Sequence, residues 1–233
     1  MCLCWIAASA DMCGADYEVI VADAGSDTPP DLSACARARL VEAPRTKLFN
    51  KPVALNAGMD AAAGDIVTFL DADAIVGPEF MRGPDLGGEV CRWCYRVWYT
   101  DVPPGDAEAW KLLFARTDKL TRGYEARCTP ESGWHSNSSH AVPLFGNSQA
   151  SMRAADLKGL GLRHNEAYAG RGFEDLEFMR HVWFAFGASY RAGMHAEPER
   201  NLVMLRHRYE ADWSAPSAAS ANFRRYRECQ HHQ

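Results

Sequence analysis

Asp71-Ala72-Asp73 stands at the end of the apolar run Ile66-Val67-Thr68-Phe69-Leu70. The run is short, β-branched and aromatic, and Gly64-Asp65 precedes it, so it reads as a buried strand; a helix would need about ten or more residues. A strand buried in a parallel sheet delivers its last residues to the crevice at the carboxyl edge, where open α/β sheets bind ligands. Two carboxylates set one residue apart at that edge form a hard oxygen site for a divalent metal and its phosphates. Asp is also a common turn former, and Asp-x-Asp alone does not decide between the two. A second acidic pair, Glu174-Asp175, opens the helical stretch expected over residues 175–186, and negative charge is favoured at a helix N-terminus. Helix capping and proton removal from a hydroxyl are compatible roles for it.

The elements that must position these groups follow from local pattern. Residues 17–22 form a strand ending in the turn-rich cluster Asp23-Ala24-Gly25-Ser26-Asp27. Residues 32–40 read as a short helix and 40–42 as a short strand. Residues 52–63 read as a helix with apolar positions Val53, Leu55, Ala57, Met59 and Ala62, stopped by Gly64. This β-α-β order implies parallel pairing in a Rossmann-like half-sheet. Beyond Arg82 the pattern becomes loop-rich, with one helix expected over 107–120. Such an insert carries specificity rather than core, and Trp93, Trp98, Trp110 and Trp134 in it serve either packing or a platform for a flat apolar face. A strand over 148–152, the helix over 175–186 and a strand over 202–205 complete the reading. Four segments result: residues 1–81 with the first acidic motif, 82–143 as the loop-rich insert, 144–213 with the second acidic motif, and 214–233 as a tail.

The chain has 233 residues, 47 % hydrophobic and 24 % charged, which is ordinary globular composition. Its net charge of −5 supplies no basic field for nucleic acid. No apolar stretch reaches the roughly 18 residues of a membrane span. The opening residues lack the basic leader of a signal peptide and read as part of a helix. Eight cysteines, unevenly spaced, fit reduced cytosolic thiols better than a disulfide scaffold. Cys91-Arg92-Trp93-Cys94 has metal or redox spacing, but no second Cys-x-x-Cys answers it. A cytoplasmic protein is expected, with peripheral membrane association compatible.

The motifs resemble those of known enzymes. Glu18-Val19-Ile20-Val21-Ala22-Asp23-Ala24-Gly25-Ser26-Asp27 and Phe49-Asn50-Lys51-Pro52-Val53-Ala54-Leu55-Asn56-Ala57-Gly58-Met59 are similar to the nucleotide-contacting segments of family 2 glycosyltransferases of the GT-A fold. Asp71-Ala72-Asp73 falls where that family has its Asp-x-Asp metal motif. The C-terminal half resembles β-1,4-galactosyltransferases (family 7) in Gly146–Met152, in the loop Leu160–Tyr168, in Gly172-Phe173-Glu174-Asp175-Leu176-Glu177 and in Met204-Leu205-Arg206-His207.

The resemblance implies an α/β GT-A fold, Rossmann-like, with a mostly parallel central sheet flanked by helices. It implies a metal-dependent, inverting transferase moving a hexose from a nucleotide sugar, with UDP as the expected nucleotide, to a glycan, lipid-linked or protein acceptor. Asp73, His207 and Met204 would hold the metal; this oxygen, nitrogen and sulfur set suits Mn²⁺ better than Mg²⁺, the alternative. Asp71 would assist at the ribose or beside the metal. Asp23, with Ser26 in its turn, would face the nucleotide base or ribose, and Lys51 and Asn56 the diphosphate or uridine. Asp175 would be the base and Glu174 would hold the acceptor sugar.

Three departures qualify this. Ala169 and Arg171 replace tryptophans that stack on sugars in the galactosyltransferases, so neither donor nor acceptor sugar carries over. Ala24 replaces the usual second Asp of the turn. Residues 1–16 have room for part of a helix only, so the N-terminal strand of the fold is expected to be missing, which would leave a sheet edge exposed, unless Met1 is an internal start. A retaining transferase of the same fold, a truncated non-catalytic nucleotide-sugar binder and a nucleotidyltransferase are the competing readings. The last lacks its usual Gly- and Arg-rich phosphate loop.

Overall fold

The computed structural model describes residues 2–72, 74–82, 91–93, 97–100, 128–130, 150–170, 172–186, 190–191, 202–205 and Arg225. The expected helix over 107–120, Trp110, Trp134, Cys94, Asp73, Arg171, His207 and, apart from Arg225, the tail over 214–233 lie outside them.

The apolar residues after Tyr17 form β1 (Val19–Asp23), which pairs in parallel with β2 (Ala38–Glu42) from Val19↔Ala38 through Asp23↔Glu42. The helix expected over 32–40 does not form. Ser33 N–H donates to Asp31 Oδ1 (2.9 Å), Cys35 N–H to the Leu32 carbonyl (3.0 Å) and Ala38 N–H to the Cys35 carbonyl (2.9 Å), a series of separate turns. A helix this short is marginal alone, and from residue 38 onward β1 offers a backbone ladder instead.

Helix α1 (Cys2–Cys13) precedes β1. Its Ile6 packs with Val76, Val19 and Leu70, and the buried Ser9 hydroxyl donates to the Val76 carbonyl at 2.8 Å. Helix α2 (Lys51–Ala61) begins one residue before the expected start because Asn50 caps it: the Asn50 side chain accepts from Val53 N–H at 3.2 Å. Pro52 in the first turn removes a donor that would be unpaired there. Ala54 and Val53 face Ala22, Ala24 and Ala43, so small side chains let α2 lie close over β1 and β2.

Beyond α2 come β3 (Ile66–Thr68), β4 (Ala74–Ile75), α3 (Pro78–Met81), β5 (Cys91–Trp93), β6 (Val97–Thr100), β7 (Cys128–Pro130), β8 (Ala150–Arg153), α4 (Ala154–Gly159), α5 (Glu174–Phe186), β9 (Tyr190–Arg191) and β10 (Leu202–Leu205). Two four-stranded sheets form, in the orders β3-β8-β5-β9 and β4-β10-β6-β7. Pairing is parallel in β5–β9 and β6–β10 and antiparallel in β3–β8, β5–β8, β4–β10 and β6–β7. Among the described residues β1 pairs with β2 alone.

The main core joins both halves of the chain: Phe69, Ala150, Met152, Leu157, Leu162, Phe178 and Val182 pack together under Leu55 and Met59 of α2. The Phe69 N–H to Ala150 carbonyl bond (2.9 Å) and the Thr68–Ser151 hydroxyl pair (2.8 Å) fasten the strand before Asp71 to β8. Among the described residues no helix is long and apolar enough to cross a membrane. Among the described residues Cys4, Cys13 and Cys35 form no disulfide.

Met152 is fully buried where the two halves meet. Met152→Ala should therefore lower stability by about 2–5 kcal/mol in urea denaturation followed by circular dichroism. A loss below about 1 kcal/mol would mean that β8 is not at the centre of the core.

Candidate active site

Lys51 is the first residue of α2, the end of a helix where a cation is disfavoured by the backbone dipole. It is tolerated because two carboxylates meet it. Its Nζ lies 2.8 Å from Asp71 Oδ1 and 3.6 Å from Asp175 Oδ2, and the lysine side chain is only 22 % exposed. Burial disfavours the ammonium, but the charges of Asp175, Asp71 and Glu174 outweigh it and hold the lysine above its ordinary range. A merely solvated helix-start lysine is thus ruled out. Asp71 comes from the loop after β3 and Asp175 from the first turn of α5, so one cation joins the two acidic motifs singled out in the sequence.

Asp175 is shaped by the opposite balance. Burial pushes its carboxyl up, Lys51 pulls it down, and Glu174 and Asp71 add to the upward push, leaving it at about 7. Glu174, Asp175 and Glu177 share the first turn of α5, the favourable end for acids. Before them the backbone takes two left-handed steps, Gly172 at φ 101° and Phe173 at φ 70°. A bulky residue in that region is strained, and such strain collects at functional sites. Glu174 and Glu177 are buried, and Glu174 Oε2, Asp175 Oδ1 and Glu177 Oε2 have no hydrogen-bond partner among the described residues. Buried carboxylate oxygens without donors are costly, and hydroxyl groups of a bound molecule would satisfy them.

The loop over 163–170 lies between α2 and α5. Asn50 Nδ2 donates to the Glu166 carbonyl at 2.7 Å, and Gly170 N–H to the Phe49 carbonyl at 2.7 Å. Asn56 is fully engaged: its Nδ2 donates to the His164 carbonyl (2.9 Å) and Glu166 Oε1 (2.9 Å), and its Oδ1 accepts from His164 N–H (2.9 Å). Arg163 makes a bidentate pair with Asp60 at 2.6 and 2.8 Å. The His164 ring stacks on Phe178 at 3.8 Å and meets the edge of Phe69 at 5.2 Å. Burial drives its pKa down to about 3, so the imidazole is neutral.

Asp23 and Ser26 are bound to each other. Asp23 Oδ1 accepts from Ser26 N–H (3.0 Å) and Ser26 Oγ (2.7 Å) in an exposed turn, and these bonds hold the carboxyl below its usual range. Arg45 closes the same turn by donating to the carbonyls of Gly25 (3.0 Å) and Ser26 (3.3 Å). Gly25, at φ 101°, must be glycine there, since a Cβ would meet Arg45 Cγ at 2.9 Å.

Of the expected metal ligands, Asp73 and His207 lie outside the described residues, and Met204 is described only as backbone in β10. The sheet register is informative: β10 runs antiparallel to β4 with Met204 opposite Ala74, the residue after Asp73. The backbone of Met204 therefore lies across from the residue that follows the Asp-x-Asp segment. Among the described residues no cluster of three metal-ligating side chains occurs.

The structure thus unites Lys51, Asp71 and Asp175 with Glu174 beside them. It places Asn56 in contacts with the loop over 163–170, and Asp23 with Ser26 in a separate turn. Sequence reasoning assigned no role to Asn50, Asn165, Glu166 or Glu177. An Asn followed by Lys-Pro signals a helix cap, and the third acid of an acidic first turn marks Glu177, but nothing local marks Asn165 or Glu166.

Comparison with known proteins bears mainly on the N-terminal half. Residues 6–83 match the family model described as glycosyl transferase family 2. No curated protein matches the sequence. Among solved structures, Staphylococcus aureus TarS 1-349 is 14 % identical, with a TM-score of 0.47, and the match covers 80 % of this chain and 48 % of that one. A mycobacterial protein is 17 % identical at TM-score 0.42, covering 88 % and 61 %. Glucosyl-3-phosphoglycerate synthase from Mycobacterium tuberculosis, in complex with Mn²⁺ and UDP-glucose, is 18 % identical at TM-score 0.38, covering 81 % and 57 %. The chain spans less than two thirds of each of these proteins.

Asp175 makes stability depend on pH. In the native protein it keeps its proton up to about 7, whereas an unfolded aspartic acid ionises near about 4. The native state binds more protons between these values, so this contribution is full below about pH 4 and is lost as pH rises through about 7. Asp175→Asn should match wild type near pH 4 and be more stable at pH 8, by roughly 1–4 kcal/mol in urea denaturation. An equal stability difference at both pH values would show that the carboxyl is not displaced.

Proposed function

We propose that this chain transfers a hexose from a nucleotide sugar, by resemblance UDP-linked, to a hydroxyl group of a glycan, lipid-linked or protein acceptor, with inversion at the anomeric carbon. The observation that carries the reading is the Lys51 ammonium held between Asp71 and Asp175. It joins the carboxylate that would lie beside the donor to the one that would meet the acceptor.

Asp175 acts as the base. Its Oδ1 has no partner among the described residues and its pKa is tuned close to neutral, where a general base is most effective. As the acceptor oxygen bonds to the anomeric carbon, the bond from that carbon to the diphosphate oxygen breaks. The acceptor proton passes to Asp175, and the nucleoside diphosphate leaves with the bonding pair. Glu174 Oε2 takes a hydrogen bond from an acceptor sugar hydroxyl and so orients the attack. The Lys51 ammonium is positioned to stabilise negative charge growing on the leaving diphosphate, and Asp71 to accept from a ribose hydroxyl. The Asp23–Ser26 turn faces the nucleoside. A divalent cation, Mn²⁺ or Mg²⁺, held by Asp73, His207 and Met204, would supply further charge neutralisation at the diphosphate. The family 7-like reading of the C-terminal half is supported by its motif order and by the acidic first turn of α5.

Nucleotide release from a panel of UDP-, GDP- and dTDP-sugars, with Mn²⁺ and with EDTA, tests this without knowledge of the acceptor. Slow release to water from one donor, dependent on Mn²⁺ and abolished by Asp73→Ala, is expected. Silence across the panel from folded protein would overturn the reading. Once an acceptor is found, Asp175→Asn should lower transfer by at least about 100-fold while leaving donor affinity intact. His207→Ala should change the Mn²⁺ dependence of the rate, and an unchanged dependence removes it from the metal site.

A further inference from the structure

Asn56 is 2 % exposed and sits midway along α2. An Asn side chain has two N–H donors, and both are spent: one on the His164 carbonyl, one on Glu166 Oε1. Its carbonyl oxygen receives His164 N–H. No donor is left for a diphosphate or a uracil carbonyl. The side chain grips one residue, His164, at both of its backbone polar groups, as a neighbouring strand would, and adds the Glu166 carboxylate as a third hold.

The residues it grips lead directly to the acidic turn. The His164 ring stacks against Phe178 of α5, and Asn165 Nδ2 donates to Glu177 Oε1 at 3.0 Å. Glu177 and Phe178 lie within one helical turn of Glu174 and Asp175. From the other side, Asn50 at the head of α2 donates to the Glu166 carbonyl. The segment over 164–166 is therefore a strut fixed to α2 at one end and to the first turn of α5 at the other.

We propose that Asn56 is a positioning residue: by locking the His164 peptide and Glu166 to α2, it fixes the first turn of α5, and with it Asp175, opposite Lys51 and the donor. The role rests on the glycosyltransferase reading, in which transfer requires Asp175 to meet the acceptor oxygen within a fraction of an ångström. Displacements of about 1 Å at such sites cost on the order of 100-fold in rate.

Asn56→Asp keeps the shape of the side chain but removes both donors and sets a carboxylate against Glu166. It should lower kcat for transfer by about 10–100-fold while calorimetric affinity for UDP with Mn²⁺ stays within about threefold. Adding Glu166→Gln to that background restores a donor to the pair, and should recover at least about a third of the lost factor on a logarithmic scale. A parallel fall in UDP affinity, or no recovery in the double variant, would overturn the proposal. An inactive wild type would defeat the functional reading alone. The strut is then tested by hydrogen exchange: protection of the His164 amide should fall in Asn56→Asp and rise again with Glu166→Gln, and unchanged protection would overturn it.

Discussion

A lysine ammonium enclosed by carboxylates is the interaction on which the rest of this structure depends. Lys51 stands at the wrong end of a helix dipole and is largely withdrawn from water. Either condition alone would disfavour its charge. Asp71 and Asp175 remove that penalty and in return are drawn to one point, although they come from opposite halves of the chain. A cation placed in this way is also poised for a polyanionic ligand: a diphosphate entering beside Asp71 would compete for the same ammonium. The arrangement brings the three groups to one point and prepares them for a charged ligand.

Holding that point requires rigidity on both sides. On one side, α2 lies on β1 and β2 through alanine and valine contacts, capped by Asn50. On the other, α5 is anchored by Phe178 and Val182 in the main core, which it shares with β8 and Phe69. Between them runs the loop over 163–170, whose backbone is tied to Asn50, Asn56 and Phe49. Arg225 adds a further tie, with its guanidinium 5.8 Å above the Tyr168 ring and donating to the Ala167 carbonyl. The positive φ of Phe173 is the strained exception. It turns the chain sharply into α5 and sets Glu174 and Asp175 inward, where Glu174 Oε2 and Asp175 Oδ1 have no hydrogen-bond partner among the described residues.

Much of this was legible locally. The β-branched run before Asp71 announced β3, the apolar positions from Val53 to Ala62 with Gly64 behind them announced α2, and the acidic pair before an apolar-periodic stretch announced α5. These signals work because strand burial, capping and dipole effects act over a few residues. What failed depends on distant partners. Residues 32–40 look helical until β1 supplies a parallel ladder for residues 38–42. Asn56 reads as a ligand-facing polar residue until it meets His164 and Glu166, 108 and 110 positions away. The meeting of Lys51 with Asp175 is of the same kind: both residues were visible, but not the fold that brings them within 3.6 Å. The proximity of Met204 to the Asp-x-Asp segment likewise comes from β-sheet register rather than from spacing in sequence.

The central claim is that Lys51 and Asp175 form one electrostatic unit at the heart of a single site. Carbon NMR titration of the Asp175 carboxyl, in wild type and in Lys51→Met, tests it most directly. The account requires a midpoint near about 7 in wild type and a higher one in Lys51→Met, since burial would then act without the opposing ammonium. A wild-type midpoint near about 4, unmoved by Lys51→Met, would contradict it.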